Sequence, residues 1–437
     1  MEFVFSEETR FKETEIGLIP EDWQVVRLGE VITDVISGDW GEEIKKDGYV
    51  ECYVLRGTDF VNIESGLYNK IPKRYIKKNS FEKRQIVNND ILIELSGGGP
   101  DQPTGRVFLA TNNFLEKFTK VCFSNFIKKL KLDTKIDPVY FFRNWQNLYN
   151  NGKTRIYEKR TTGIRNFKLK DFIDKEFIPL PPLPEQKAIA EVLRTIQEAK
   201  EKTEAVLKAT KELKKSMMKH LFSYGNVSLS DVDKVKLKET EIGPIPEHWQ
   251  VVRLGEVAEI VMGQSPPGTS YNQSGIGPPF LQGKAEFGNM YPKVINYTTM
   301  PIKHAKIKSI LLSVRAPVGE VNIADKEYCI GRGLSSISFK NNLGINFFLF
   351  YYLVYSKKTI EEMGSGSTFK AINKSQVKNL LIPLPPLSEQ QAIADILLAI
   401  DEKIQKEEEK KKAIENLFKS MLQNLMSGKI RVQKMEA

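Results

Sequence analysis

Two blocks of this chain occur twice, and the stretches between them have almost nothing in common. Lys12 to Val31 (KETEIGLIPEDWQVVRLGEV) returns as Lys238 to Val257 (KETEIGPIPEHWQVVRLGEV) with two substitutions in twenty positions. Ile178 to Ala190 (IPLPPLPEQKAIA) returns as Ile382 to Ala394 (IPLPPLSEQQAIA). The first pair is offset by 226 residues and the second by 204, so the first intervening region is 22 residues longer. A chain of this plan is two copies of one unit, each a fixed frame around a divergent insert. A fixed frame holds things in place, and a divergent insert chooses what is held.

After each IPLPPL the spacing predicts a helix. Pro184-Glu185-Gln186 and Ser388-Glu389-Gln390 lie where it should start, with Ser388 a good N-cap residue. From Glu185 to Tyr224, and from Glu389 to Ser427, there is no Pro or Gly. Runs of about 40 residues would be roughly 55 to 60 Å long as helices. Ile189, Leu193, Ile196, Thr203, Leu207, Thr210, Met217 and Leu221 in the first, and Ile393, Leu397, Ile400, Ile404, Ile414, Phe418, Met421 and Leu425 in the second, follow steps of three and four. That stripe is the signature of a two-helix coiled coil, and the simplest partner for each helix is the other. The alternative is two long helices packed separately on their own domains. IPLPPL reads as a rigid extended lead-in, and Trp23 and Trp249 as core anchors.

Residues 32–177 and 258–381 share little identity but share a plan. Asp90 to Ile93 and Ser309 to Leu312 read as short buried strands, and Thr104 to Val107 and Val318 to Val321 as a turn and a second strand. Asp137 to Phe142 and Asn346 to Tyr351 each read as a capped, buried helix. Each insert is therefore a mixed α/β globule, and the fold class is α+β with two long helices and an internal, pseudo-two-fold duplication. Near its end each insert carries a Gly/Ser/Thr stretch with basic residues, Arg160 to Arg165 and Gly364 to Lys370. Such loops suit phosphate and base-edge contacts, or are plain flexible loops.

Charge sharpens this. The formal net charge is +10, which is compatible with nucleic acid, an anionic membrane surface or an acidic protein. Asn151 to Lys170 holds seven Lys or Arg against one Glu, whereas Glu402 to Lys412 is balanced, as on a solvated helix face. The three cysteines and three histidines are scattered, which argues for a reducing compartment and against a disulfide framework or a metal site. The longest apolar run, Phe347 to Tyr355, is nine residues and too short for a bilayer. With no secretion signal at the N-terminus, a cytoplasmic location is expected. Enzyme patterns are poor. Gly277-Pro278-Pro279-Phe280 lacks the side chain that an adenine methyltransferase motif needs at its first position, and no glycine-rich nucleoside loop is present. Gly283-Lys284-Ala285 is a poor phosphate loop, and Asp101 with Asp133 and Lys135 fits a nuclease pattern only loosely. No catalytic residue, cofactor or metal site is expected.

The duplicated ETEIGxIPExWxVVRLGEV block, the duplicated IPLPPLxEQxAIAxxL block leading into a long helix, and the Ile310 to Gly319 run (ILLSVRAPVG) together resemble the specificity subunit of Type I restriction-modification systems. Gly263-Gln264-Ser265-Pro266-Pro267 is similar to the start of one of that family's target recognition domains. The resemblance covers essentially the whole chain. It implies two target recognition domains, 1–177 and 238–381, the first with frame segment 12–31 and the second with 238–257. It further implies two frame segments, 178–237 and 382–437, whose helices form an antiparallel coiled coil that acts as a ruler. It implies a non-catalytic subunit that binds an asymmetric bipartite site in double-stranded DNA and assembles with two methyltransferase subunits and with restriction (endonuclease/translocase) subunits, with no membrane partner. Two domains on such a rod should contact DNA more than one helical turn, ~34 Å, apart. The competing class is a two-headed protein-binding scaffold with a coiled-coil spacer. Candidate DNA contacts are Arg155, Lys159, Arg160, Thr162 and Arg165 in the first insert, and Gln264, Gln282, Lys284, Arg315, Arg332, Ser367 and Lys370 in the second. Arg and Gln suit bidentate base contacts, and Lys suits phosphate. Arg315 and Arg332 fit internal ion pairs equally well. The repeat also suggests a cyclic plan, in which Met1 to Lys12 lies near the end of the second long helix.

Overall fold

The computed structural model describes residues 2–64, 68, 70–97, 102–161, 164–341, 343–364 and 371–435. The chain forms two compact units, one of Met1–Glu201 with Lys412–Ala437, the other Lys202–Lys411. Each is built to the same plan. In the first, an antiparallel sheet runs in the order Val107–Leu109, Ile91–Glu94, Ile127–Leu132, Ile32–Ser37. Beside it lies a three-stranded sheet in which Val121–Phe123 pairs in parallel with Tyr49–Leu55. In the second, Val321–Ile323, Ile310–Ser313, Leu334–Phe339 and Ala258–Met262 repeat the four-stranded order. A five-stranded sheet adjoins it, with Pro279–Leu281 parallel to Tyr328–Ile330. Ile91–Glu94 and Ile310–Ser313 are the strands expected from the apolar runs, and every residue in both is buried. They are inner strands whose two faces pack into different cores, Ile91 and Ile93 into one and Leu92 into another, as Ile310 and Leu312 into one and Leu311 into another, so no face is left for water.

The two repeated blocks meet each other. Gln24–Arg27 pairs antiparallel with Phe177–Leu180, and Gln250–Arg253 with Leu381–Leu384. The leading Ile-Pro-Leu of each IPLPPL is extended as expected and is also part of one strand of a two-stranded ribbon, where proline's missing N–H is tolerated, whereas the final Leu183 or Leu387 already opens the helix. Trp23 and Trp249 are fully buried, and each indole N–H needs a partner there. Trp23 donates to Glu185 Oε2 at 3.1 Å and Trp249 to Glu389 Oε2 at 3.0 Å. The neighbouring glutamines complete the joint. The Gln186 amide oxygen accepts from the Asp137 backbone N–H and that of Gln390 from Ile345, both at 2.9 Å. Their amide nitrogens donate to the carbonyls of Pro181 and Pro385, both at 2.8 Å. The Glu-Gln pair thus binds frame tryptophan with one residue and insert with the next.

The long helices are Leu183–Tyr224 and Leu387–Met426. Both start two residues before the expected Glu185 and Glu389, because the carbonyls of Pro182 and Pro386 accept the first helical N–H groups. Ser388 therefore lies inside the helix and does not cap it. Of the two shorter helices, Pro138–Asn150 is capped by Asp137 as expected. Asn346 begins the other, but its side chain accepts from Phe339 N–H instead of capping. The long helices form an antiparallel coiled coil. In the first unit Ile189, Val192, Leu193 and Ile196 share a core with Phe418, Met421 and Leu425, and Lys200 pairs with Glu415 at 3.3 Å. In the second, Met217, Met218 and Leu221 share a core with Ile393, Ala394 and Leu397. There the ion pairs are Lys411–Glu204, Lys211–Glu408 and Lys214–Asp401, at 2.9, 2.7 and 2.7 Å. Numbers rise along one helix as they fall along the other.

The cyclic expectation holds. Phe3–Glu7 pairs antiparallel with Ile430–Lys434, just past the second long helix. Arg431 then binds Glu8, Asp22 and Glu185 together, its guanidinium 5.6 Å from the Trp23 ring centre. In the second unit the corresponding Glu389 takes the backbone N–H of Asn226, from the segment linking the first long helix to the second frame block, and the ring of His248. Among the described residues no helix is long and apolar enough to cross a membrane.

Candidate nucleic-acid interface

In the second unit three turns converge where the two sheets meet. Gly263 donates its N–H to Leu334 O, Gln264 to Ile330 O, and Gly331 to Leu281 O, at 2.9, 2.9 and 2.7 Å. Gly263 has no room for a side chain at this crossing, since a Cβ there would lie 2.1 Å from the Gly331 carbonyl oxygen. The close approach opens a cleft of about 240 Å³ lined by Gln282, Gly283, Lys284, Ser313, Arg315, Ala316, Arg332 and Gly333. The Ser313 hydroxyl donates to the carbonyls of Arg315 and Pro317, shaping the turn that presents Arg315. Gln264, on the adjoining turn, is exposed, as are Gln282, Lys284, Arg315 and Arg332. Five candidates scattered over 69 positions of sequence thus lie in or beside one cleft.

Their electrostatic states differ. Lys284 is 2.9 Å from Glu320, which Lys357 also holds at 3.0 Å. Burial raises the Glu320 carboxyl, but hydrogen bonds from Lys284 and Lys357 outweigh it and keep the group below its ordinary value. Lys284 is therefore held by a carboxylate that it shares with Lys357. Arg315 and Arg332 make no ion pair among the described residues, so the sequence's alternative of internal pairing is not what this geometry displays. Two exposed guanidiniums beside two carboxamides offer donors and acceptors for base edges and charge for phosphate. Ser367 and Lys370 lie outside the described residues.

The first unit treats its candidates otherwise. Arg155 is exposed on the short helix Lys153–Tyr157, and Lys159 is exposed on the strand Glu158–Thr161. That strand also carries Arg160, whose side chain lies outside the described residues, as does Thr162. Arg165, on the paired strand Ile164–Phe167, turns inward. It sits 3.4 Å from Glu158 with 17% of its side chain exposed, and Glu158 also accepts from the Thr104 N–H and hydroxyl. Its charge is largely spent inside the fold. Sequence reading also missed the most buried ion pair of the described residues. Glu94 is fully buried at the end of Ile91–Glu94 and takes Arg106 through two bonds, of 2.8 and 2.6 Å. Glu94 at the end of an apolar strand was a visible signal; its partner twelve residues on was not.

The family model for the Type I restriction modification DNA specificity domain matches this chain twice, over residues 20–215 and 246–416. The chain belongs to the Type I restriction modification DNA specificity family. Each match takes in one frame tryptophan, one insert and part of one long helix. Among relatives of this specificity family, a subunit assigned to the MjaX type I restriction enzyme of Methanocaldococcus jannaschii is 39% identical, over 98% of each chain. The MjaVIII specificity subunit of the same organism is 29% identical over 99% of this chain and 98% of its own. A solved chain from a study of complex assembly and conformational transition of the type I R-M system superposes with a TM-score of 0.53 at 26% identity, over 94% of this chain and 99% of that one. The S subunit of a Type I restriction-modification system from M. genitalium has a TM-score of 0.61 at 18% identity, over 92% and 96%, a likeness of fold alone.

Proposed function

We propose that this specificity-family chain is the DNA-reading subunit of a Type I restriction-modification assembly. Its two α/β inserts, within domains 1–177 and 238–381, each read one half of an asymmetric bipartite site in double-stranded DNA. Methyltransferase and restriction subunits are its partners and carry the catalysis. The observation that supports this is the cleft holding exposed Arg315 and Arg332 beside Gln282. An exposed guanidinium without an ion pair among the described residues, next to a carboxamide, matches the acceptor edges of guanine and the mixed edge of adenine. Arg155 and Lys159 in the first insert supply phosphate contacts, which position the protein and carry no sequence information.

The test is selection of bound sites from a random duplex library, followed by a salt titration. An enriched motif of two unlike halves is expected, with affinity falling steeply and log-linearly as salt rises. Arg315→Ala and Arg332→Ala should relax preference at one half, each by ~1–3 kcal/mol at the affected base pair. Absence of any bipartite motif, with binding insensitive to salt, would instead favour a protein-binding scaffold.

A further inference from the structure

The backbone geometry that builds the second unit's cleft is present, bond for bond, in the first. Gly38 donates to Ile127 O as Gly263 does to Leu334 O, and Asp39 to Phe123 O as Gln264 does to Ile330 O. Ser124 donates to Leu55 O as Gly331 does to Leu281 O, and Ile127 to Ser124 O as Leu334 does to Gly331 O. Leu95 donates to Phe126 O as Val314 does to Gly333 O. The crossing glycine recurs too. A Cβ on Gly38 would lie 2.0 Å from the Ser124 carbonyl oxygen, matching the 2.1 Å at Gly263. These bonds fix a residue-by-residue equivalence: Arg56 stands where Gln282 stands, Asn125 where Arg332 stands, and Phe126 where Gly333 stands.

We propose that Arg56, Asn125 and Phe126 form the base-reading edge of the first unit. Basic residues of the 153–165 segment, by contrast, only track the backbone of the DNA. This rests on the DNA-reading function proposed above. The chemistry suits the role. Arg56 is fixed by the fully buried Asp59, which accepts from Nε at 3.0 Å and Nη2 at 2.8 Å, while Nη2 also donates to Lys70 O at 2.8 Å. Nη1 keeps its two N–H donors without a partner among the described residues, on a side chain 40% exposed. Such a buttressed guanidinium loses little freedom on binding the acceptors of a guanine. Asn125 is exposed and offers the donor–acceptor pair that fits adenine. Phe126 is 56% exposed, an apolar ring on an otherwise polar rim, and the thymine methyl is the base-edge group an apolar ring recognises. With Arg56, Asn125 and Phe126 where the other unit has Gln282, Arg332 and Gly333, the two units present unlike edges on one backbone.

The experiment is selected-site binding by the full chain, comparing wild type with Asn125→Ala, Phe126→Ala and Arg332→Ala. The first two side chains are exposed, so the fold should survive, and continued selection of the untouched half-site reports that it has. Asn125→Ala and Phe126→Ala should each lower the preference at positions of one half-site by roughly ten- to a hundredfold. Arg332→Ala should do so in the other half only. Unaltered preference at both halves in Asn125→Ala and Phe126→Ala, against a wild type with a bipartite motif, overturns this assignment and leaves the proposed function standing. Loss in the same half as Arg332→Ala overturns it as well. A wild type that selects no bipartite motif defeats the proposed function and takes this assignment with it.

Discussion

At the scale of single residues, the contrast between paired and unpaired arginines organises this protein. Arg106 and Glu94 form a charge pair with almost no water around it, Glu94 being fully buried and the Arg106 side chain 11% exposed. Removing one member of such a pair strands the other, at a cost of ~3–5 kcal/mol. Arg106→Ala should therefore lower the unfolding free energy of the first unit by about that amount, read from the shift of the denaturant midpoint. A change below about 1 kcal/mol, the range of an exposed pair, would show that water reaches Glu94. Arg165 is tied to Glu158, so truncating it should disturb the hairpin it belongs to as well as any DNA contact. Among the described residues Arg315 and Arg332 have no such tie, and their replacement is expected to spare stability. Charge density alone does not sort the candidates in the first insert. Seven cations between Asn151 and Lys170 mark a basic segment, but composition does not reveal which guanidinium is spent on a glutamate seven positions away.

At the scale of elements, the frame was legible and the proposed reading edge was only half so. The repeated blocks announced themselves by identity. The apolar runs at Ile91 and Ile310 gave strands, and Asp137-Pro138 gave a helix start, because these depend on local propensity. What no local signal carried was that IPLPPL would pair with the Gln-Val-Val-Arg strand of the other block, or that its Glu-Gln would receive the tryptophan and the insert. In the second insert the Gly263-Gln264 turn stood out only by its likeness to the start of a recognition domain. In the first, the equivalent Gly38-Asp39 shares only the glycine, and Ser124-Asn125-Phe126 shares nothing with Gly331-Arg332-Gly333. The likeness there resides in backbone hydrogen bonds, which side-chain identity does not encode. The knot around Arg431 yields a pH prediction. Hydrogen bonding from Arg431 lowers the Asp22 carboxyl, and that of Glu8 is lowered by the Arg10 backbone N–H and then by Arg431. Folded carboxyls below their ordinary values of 3.8 and 4.5 bind fewer protons than unfolded ones. Their stabilisation is thus fully present above those values and is lost as pH falls through the lowered ones. Arg431→Met should consequently flatten the decline of the melting temperature on acidification below about pH 4.5, as thermal unfolding at stepped pH would show. An equally steep decline in the variant would place the acid sensitivity elsewhere.

At the scale of the whole chain, the duplicated frame makes the inserts interchangeable parts. The strand pairing and the tryptophan–glutamate bond that receive each insert are the same in both joints. Val26 lies opposite Ile178 and Val252 opposite Ile382, and each frame tryptophan bonds the glutamate of its own Glu-Gln pair. The features that differ between the joints, Arg431 with Glu8 and Asp22 in one and Asn226 with His248 in the other, all lie outside 32–177 and 258–381. Replacing 32–177 by 258–381 therefore disturbs neither knot. The transplanted insert would lose helix contacts, among them the Phe222 ring against Phe348, Tyr352 and Tyr355 and the Tyr351 hydroxyl on Asp401 at 2.8 Å. The repeat offset of 204 puts Gln197 at the equivalent helix position (401 − 204 = 197), and its amide oxygen accepts a phenol hydrogen bond as well. Exchanging a carboxylate for a carboxamide there should cost on the order of 1 kcal/mol, the difference between a charge-assisted and a neutral bond. The grafted chain should then fold and select a bipartite site whose halves are the same sequence, the one assigned by Arg332→Ala. Circular dichroism and thermal unfolding test the first part, and site selection the second. A folded graft that still selected two unlike halves would mean that the frame contributes to base choice, and that reading cannot be confined to the inserts.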